Sequence, residues 1–261
     1  MVDRLTSDLL SEHRSWDGRG VLTRLDGMLH SDAEEILDSP DLDAPTREHA
    51  MRLLHLANRR IGSYGMWEEV LDECLAGLDA AHVYDLAAGT GGFALHLAQS
   101  ESSTRQLTLT SSDLDAGYVA EGARQAREAG LDVRFDVHDA LLLSDLRGVD
   151  LFVCTQAAHH FAAGRIVRMI HQATRAATRG LLIIDLLRGA TAMLGTGALL
   201  SLVAPHHILV RDGLLSVRRA WLPGELDLLA RIAGASHVEA RAFGPAHCLM
   251  HAFGRGETDE H

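Results

Sequence analysis

Short strand-like runs alternate with amphipathic stretches from residue 81 onward. The strand-like runs cover residues 82–87, 106–112, 132–137, 150–155 and 180–185. Apolar positions at helical spacing follow several of these runs, over residues 93–99, 117–129 and 163–178. Strands that alternate with helices in this way predict a parallel, doubly wound α/β sheet with right-handed crossovers.

The C-terminal part of the pattern departs from this alternation. Two further strand-like runs, residues 236–243 and 247–255, are joined by Gly244 and Pro245 rather than by a helix. A short connection of this kind predicts an antiparallel pair at one edge of the sheet. The expected fold is therefore a Rossmann-like, mostly parallel seven-stranded sheet that ends in an antiparallel C-terminal edge pair.

The chain before residue 80 shows helical spacing and no strand-like run. A proline-containing start signal at residues 44–46 and the amphipathic stretch 66–78 predict two of its helices. We expect three parts: an N-terminal helical cap or lid over residues 1–79, the main domain over residues 80–255, and a tail over residues 256–261.

The segment between the fifth and sixth predicted strands has no strand–helix rhythm. Residues 189–205 are uncharged and are expected to be buried or to act as a lid. Arg211, Asp212 and Gly213 predict a polar turn, and a helix is expected over residues 223–233.

The charge of the chain excludes several classes of function. All 24 basic side chains are arginine and stand against 36 acidic ones, which gives a formal net charge of −12. Without lysine the chain has neither the amine of a P-loop nor that of a Schiff-base enzyme. A surface of this charge repels phosphate backbones, so nucleic acid is not an expected partner.

The cysteines and the first residues of the sequence indicate the cellular compartment to expect. Cys74, Cys154 and Cys248 are isolated, which argues against a disulfide framework or a structural zinc site and favours a reducing cytoplasm. The first residues carry acids and no apolar core, so no signal peptide is expected. Three glycines interrupt the short uncharged segment, and no membrane contact is expected.

Candidate chemistry is concentrated in a glycine-rich turn at residues 84–94, YDLAAGTGGFA, between the first strand and its helix. Gly89, Gly91 and Ala94 match a dinucleotide-binding spacing, with an acid, Asp113, a little over twenty residues on. Asp85, however, ends the strand four residues before Gly89. A carboxylate there would repel a pyrophosphate and attract a ligand that carries an ammonium group.

Asp85, Ala87, Gly89 and Gly91 together resemble the first motif of the class I S-adenosylmethionine-dependent methyltransferases. Ala87 stands where that motif has its first glycine, a small-for-small change that should preserve the loop. The resemblance covers about residues 80–255.

Later elements continue the resemblance in the same order. It implies that Asp113, followed by Leu114, binds the ribose hydroxyls of the cofactor. It also implies that Asp139 and Ala140 lie beside the adenine, and that Thr155, at the tip of the fourth strand, lines the sulfonium.

The resemblance implies an enzyme that binds S-adenosylmethionine, releases S-adenosylhomocysteine and methylates a small organic acceptor. A hydroxylated natural-product or quinone-like molecule is the expected acceptor, and oxygen is favoured over nitrogen or carbon. Two alternatives stay open: a catalytically silent cofactor-binding module, and an NAD-dependent oxidoreductase that the glycine spacing alone would fit.

His159 and His160 are the candidate catalytic residues. They follow the fourth strand at the carboxyl edge of the sheet, where ligands bind in such folds. An acceptor hydroxyl must lose a proton as it attacks, and histidine is suited to take one near neutral pH.

Four residues are candidates for contact with the substrate: Tyr64 and Trp67 near hinge glycines, Arg188 after the fifth strand, and His206 after the uncharged segment. No cluster of metal ligands is evident in the sequence, so no metal is expected. The N-terminal helices are expected either to cover the protomer's own site or to form a homodimer contact.

Overall fold

The computed structural model describes residues 30–254, except residues 32, 34, 40, 101–104, 204–206 and 245. Within these residues, seven strands form one sheet in the order β3-β2-β1-β4-β5-β7-β6. The strands are β1 Ala80–Asp85, β2 Gln106–Asp113, β3 Arg134–Val137, β4 Leu151–Thr155, β5 Leu181–Leu186, β6 Val238–Phe243 and β7 His247–Ala252.

The sheet confirms the predicted topology. Strands β1 to β5 pair in parallel, whereas β7 pairs antiparallel with both β5 and β6. The strand order reverses at β1, which lies between β2 and β4. In open α/β sheets, ligands bind outside the carboxyl ends of the strands at such a reversal.

Eight α-helices are present in the described part of the chain. They are α1 Ala44–Arg60, α2 Ser63–Cys74, α3 Gly92–Gln99, α4 Ala116–Ala129, α5 Ala163–Ala176, α6 Ala190–Val203, α7 His207–Arg219 and α8 Pro223–Ile232. The N-terminal region is helical as expected where it is described. Residues 1–29 and the tail 255–261 lie outside the described residues.

Two hydrophobic cores lie on the two faces of the sheet. Successive residues of β5 alternate between them: Leu181 and Ile183 pack in one, Leu182 and Ile184 in the other. Because side chains alternate across a strand, a strand buried on both faces is apolar throughout. This double burial explains the unbroken apolar run that marks β5 in the sequence.

The polar turn predicted at residues 211–213 is wrong. These residues lie inside α7, and Asp212 is buried. Its Oδ2 atom accepts a hydrogen bond of 2.9 Å from the backbone N–H of Leu37. This contact with a residue 175 positions away outweighs the local preference for a turn. A local sequence pattern contains no information about such a contact.

The uncharged segment forms helix α6, part of whose apolar surface faces outward. Leu194 and Leu202 are each more than three-quarters exposed, whereas Leu200 packs against α1 and α7. None of the helices in the described residues has the length and apolar character needed to span a bilayer.

Candidate functional site

The glycine turn after β1 holds a sharply folded backbone. Ala87, Gly89 and Gly91 all have positive φ angles, of 51°, 57° and 73°. The backbone N–H of Gly89 donates a 2.8 Å hydrogen bond to Oδ2 of Asp113 at the end of β2. A Cβ on Gly91 would lie 2.6 Å from the ring of Phe135, so a larger residue does not fit there.

Ala87 offers a test of this geometry, because an L-residue in the left-handed region costs about 1–2 kcal/mol. Glycine relieves this cost but loses more backbone entropy on folding than alanine does. We therefore expect Ala87→Gly to raise the free energy of unfolding by the difference, about 0.5–1 kcal/mol. Denaturant unfolding of the two proteins measures the difference. A less stable glycine variant would show that this backbone is not strained.

Asp113 links the tip of β2 to the glycine turn. Its second oxygen, Oδ1, accepts a 2.9 Å hydrogen bond from the N–H of Asp115. Burial raises the pKa of Asp113 above its usual range, and its backbone hydrogen bonds oppose that rise. The neighbouring Leu114 is 70% exposed, so it lies at the open rim of the site.

Asp85 is a buried carboxyl group at the end of β1. Neither of its side-chain oxygens has a hydrogen-bond partner within the described parts of the chain. Burial, together with the nearby Asp113 carboxylate, raises the pKa of Asp85 to about 8. A buried carboxyl group without partners is costly to ionise, and the ammonium group of a ligand would relieve that cost.

This pKa predicts how stability changes with pH. An unfolded chain loses the Asp85 proton near 3.8 and the folded chain near 8, so the folded state binds more protons between these values. The contribution of Asp85 to the free energy of unfolding therefore falls as the pH rises through this window. We expect the stability gained by Asp85→Asn over wild type to grow from pH 4 to pH 8 and then level off. Urea unfolding at a series of pH values tests this, and a constant difference contradicts it.

A partly buried histidine on α1, His55, connects the N-terminal helices to the glycine turn. Nδ1 of His55 lies 2.6 Å from the hydroxyl of Tyr64, and its Nε2 lies 2.6 Å from Oγ1 of Thr90. Burial, followed by the charge of Arg59, lowers the pKa of His55 to about 4. A neutral ring at this place packs over Gly92, where a Cβ would lie 2.1 Å from Nδ1.

A second link joins α1 to the tip of β4. Nδ2 of Asn58 donates a 2.8 Å hydrogen bond to Oε1 of Gln156. Gln156 has a positive φ of 51°, which is rare for a residue other than glycine. Its side chain thus joins the tip of β4 to α1.

The two predicted catalytic histidines lie on a 3-10 turn, residues Ala158–His160, directly after β4. Nδ1 of His159 is 2.8 Å from Oδ1 of Asp185, and its Nε2 is 3.5 Å from Oε1 of Glu35. Burial opposes protonation of this ring, but the two carboxylates outweigh burial and raise the pKa of His159 to about 10. His159 is therefore a buried imidazolium, not the neutral ring that the sequence analysis expects of a base.

His160 lies beside His159, with ring centroids 4.3 Å apart. Its Nδ1 is 2.9 Å from Oδ2 of Asp38, and its Nε2 is 4.0 Å from Oε2 of Glu35. Glu35 therefore stands between the two Nε2 atoms, and Oγ of Ser216 donates a 2.8 Å hydrogen bond to it.

One cavity of about 340 Å³ brings most of these groups together at the carboxyl ends of β1, β2 and β4. The predicted site residues that line it are Tyr64, Trp67, Ala87, Gly89, Asp113, Thr155, His159 and His160. The predicted residues Asp85, Gly91, Leu114, Asp139 and Ala140 are not part of its lining. Oδ1 of Asp139 accepts a 2.9 Å hydrogen bond from the N–H of Leu141.

The structure does not bring Arg188, another candidate substrate residue, into the cavity. Arg188 is almost fully buried elsewhere, where its Nη2 atom lies 2.5 Å from Oε1 of Glu225. Its Nη1 atom also donates a 2.7 Å hydrogen bond to the carbonyl of Ala220. The guanidinium thus anchors α8. His206 lies outside the described residues.

Several cavity residues have no counterpart among the sequence predictions. Glu35, Asp38, His55, Asn58, Gln156 and Ser216 all line the cavity. Gln156 directly follows Thr155 at the tip of β4, so its position was a signal, whereas no local motif marks Glu35, Asp38 or His55. A local signal does mark Asp185, which bonds to His159. It is an acid near the carboxyl end of a parallel strand, the same kind of position that made Asp85 and Asp113 candidates.

The residues present fit S-adenosylmethionine better than a dinucleotide. An ammonium group suits the unpartnered carboxyl group of Asp85, which is buried next to the cavity-lining glycine turn, and Gly89 brings its backbone to the cavity wall. Asp113 presents a carboxylate to the cavity, which can accept hydrogen bonds from the hydroxyl groups of a ribose. A pyrophosphate would instead approach two acids, Asp85 and Asp113.

Comparisons with known proteins agree with this geometry. Residues 83–180 match the family model described as a methyltransferase domain. A Methanococcus maripaludis structure assigned as an S-adenosyl-L-methionine-dependent methyltransferase has 13% identity and a TM-score of 0.59, with 87% of this chain and 99% of that chain covered. The plantazolicin methyltransferase BamL, in complex with a triazolic desmethylPZN analog and SAH, has 13% identity and a TM-score of 0.54, with 77% and 88% covered. No curated protein sequence matched the chain.

Proposed function

We propose that this chain, which carries a class I S-adenosylmethionine-dependent methyltransferase domain, methylates an oxygen atom of a small, hydroxylated, natural-product-like acceptor. S-adenosylmethionine is the cofactor, and it supplies an electrophilic methyl group. The observation that carries the proposal is the buried group of Glu35, His159 and Asp185 at the acceptor end of the cavity.

The rest of the cavity wall supports a mostly apolar acceptor. Its aliphatic lining away from the glycine turn comes from the N-terminal segment and from α1, α6 and α7: Leu37, Leu54, Ile61, Leu199, Leu200 and Leu209. The carboxyl groups in this part of the wall, Glu35, Asp38 and Asp212, disfavour an anionic molecule. A neutral, hydroxylated acceptor suits both features.

The charge states at the cluster suggest where the acceptor proton goes. The pKa of Glu35 is lowered: burial raises it, but His159 and His160 outweigh burial. The ionised Glu35 carboxylate can thus accept the proton of an acceptor hydroxyl, and the His159 imidazolium stabilises the oxyanion that develops. Asp185 holds the imidazolium through Nδ1. His159 thus assists removal of the proton by stabilising the oxyanion, without accepting the proton itself.

The N-terminal helices act as the cap of the site in this proposal. His55 and Asn58 on α1, with Tyr64 and Trp67 on α2, form the wall opposite the strand tips. A cap over residues 1–79 would exclude water and hold the acceptor in line with the methyl group. Such positioning is worth effective molarities of about 10⁵ M or more.

Methyl transfer with a labelled cofactor tests the proposal. The protein is incubated with methyl-labelled S-adenosylmethionine and matched neutral phenols, anilines and carboxylated phenols, and products are identified by mass spectrometry. We expect S-adenosylhomocysteine and an O-methylated neutral phenol. Transfer to nitrogen or carbon alone would refute the acceptor assignment. Binding of S-adenosylhomocysteine without any transfer would favour the silent cofactor-binding module.

A further inference from the structure

We propose that Glu35, His159 and His160 bind one divalent transition-metal cation in the acceptor end of the cavity. One ligand atom from each residue lies within 4.8 Å of the other two. Two ligands of a tetrahedral zinc-type cation, each about 2.0–2.2 Å from it, are about 3.3–3.6 Å apart. Nε2 of His159 is 3.5 Å from Oε1 of Glu35, and Nε2 of His160 is 4.0 Å from Oε2, so only small side-chain movements are needed to close on a cation.

The second ring nitrogen of each histidine is held by a carboxylate. Nδ1 of His159 is bonded to Asp185 at 2.8 Å, and Nδ1 of His160 to Asp38 at 2.9 Å. This fixes both rings with their Nε2 atoms towards Glu35. Histidine ligands of metals are held by carboxylates in the same way, which sets their tautomer and raises their basicity.

The Glu35 carboxylate is also oriented. Its Oε1 atom accepts a hydrogen bond from the hydroxyl group of Ser216, a residue of α7. The same hydroxyl group is also 2.8 Å from the carbonyl oxygen of Asp212, one helical turn earlier. Around the cluster, the three carboxylates of Glu35, Asp38 and Asp185 face two positive groups, the imidazolium of His159 and the guanidinium of Arg219, which is 3.9 Å from Glu35. A cation bound here takes the place of the Nε2 proton of His159, and the three carboxylates favour that exchange because they compensate the charge of the cation.

The donor set narrows the class of cation. Two imidazoles and one carboxylate suit zinc, iron, cobalt or nickel, whereas magnesium and calcium prefer oxygen ligands only. Three protein ligands leave coordination positions open, as in catalytic metal sites. Because all three residues line the cavity, these positions face the acceptor. A cation there would lower the pKa of an acceptor hydroxyl bound to it. This effect on the acceptor rests on the proposed function, but the binding of the cation itself does not.

Cobalt(II) is a suitable probe, because its visible absorption reports ligand number and its coordination resembles that of zinc. The full-length protein is freed of metal with a chelator and titrated with Co²⁺ in the absence of any acceptor. Glu35→Gln and His160→Asn remove a ligand, Asp38→Asn removes only the group that holds His160, and His49→Asn removes an exposed histidine of α1 as the control. Circular dichroism establishes that each variant is folded.

We expect one Co²⁺ per wild-type chain and an unchanged affinity in the His49 variant. The two ligand variants should lose the site, and Asp38→Asn should weaken it by about 10- to 100-fold. Acetohydroxamate, an oxygen chelator, should change the spectrum of the loaded protein by entering the open positions. Absence of stoichiometric binding, or binding that survives loss of Glu35 and of His160, overturns the site.

The outcome for the metal site is separable from the outcome for methyl transfer. Transfer of the labelled methyl group by the chelator-treated protein, with no Co²⁺ bound at saturation, overturns the metal site and leaves the proposed function standing. Stoichiometric Co²⁺ binding without transfer to any acceptor supports the site and counts against the proposed function.

Discussion

Replacement of Asp113 by alanine is expected to abolish useful binding of the adenosyl cofactor. This carboxylate faces the cavity and is the group expected to hold the ribose hydroxyls. Hydrogen bonds to a charged group contribute about 1.5–3 kcal/mol each, so the loss of two lowers affinity by at least about 100-fold. The substitution also removes the acceptor for the N–H groups of Gly89 and Asp115, which fix the glycine turn.

Titration calorimetry with S-adenosylhomocysteine measures this effect without turnover. Asp136→Ala is the matched control, since Asp136 is a partly buried acid on the adjacent strand β3, paired in register with Ser112, and does not line the cavity. Its affinity should remain close to that of the wild type. If Asp113→Ala binds as tightly as Asp136→Ala, the assignment of the cofactor site is wrong.

Loss of His159 should have the second large effect, on turnover rather than on cofactor binding. Loss of a preorganised donor to a developing oxyanion costs about 10²- to 10³-fold in rate, and we expect His159→Ala to lose a factor in this range. Its ring is hydrogen-bonded to Asp185 on β5, whereas Asp113 is hydrogen-bonded to Gly89 in the glycine turn. Affinity for S-adenosylhomocysteine should therefore be retained.

His251→Ala is the control for this variant. His251 is also buried and hydrogen-bonded, to the carbonyl of Arg179, but it does not line the cavity. Initial rates with an acceptor that the wild type methylates, together with the affinity for S-adenosylhomocysteine, separate the two effects. Full turnover by His159→Ala would refute its role in stabilising the oxyanion, and equal losses in both variants would point to damage to the fold.

The sequence by itself determined the sheet and the glycine turn. Strand–helix alternation, the apolar run of β5 and the short link between β6 and β7 are properties of contiguous segments. The same holds for Asp85, Gly89 and Gly91, whose backbone roles depend on their neighbours in the chain. The position of Asp113 beside them is also determined by the sequence, because the carboxyl ends of adjacent parallel strands lie at the same edge of the sheet.

Only the tertiary structure decided what surrounds that edge. Glu35 reaches His159 across more than 120 residues, and no spacing rule predicts a contact between a segment outside the sheet and a strand tip. That contact, with Asp185, raises the pKa of His159 to about 10, and it places Glu35 beside two imidazole rings. Asp212 and Arg188 show the same limit, since a partner distant in the sequence decides the role of each. Local pattern fixes backbone conformation, whereas charge state depends on burial and on the groups that packing brings near.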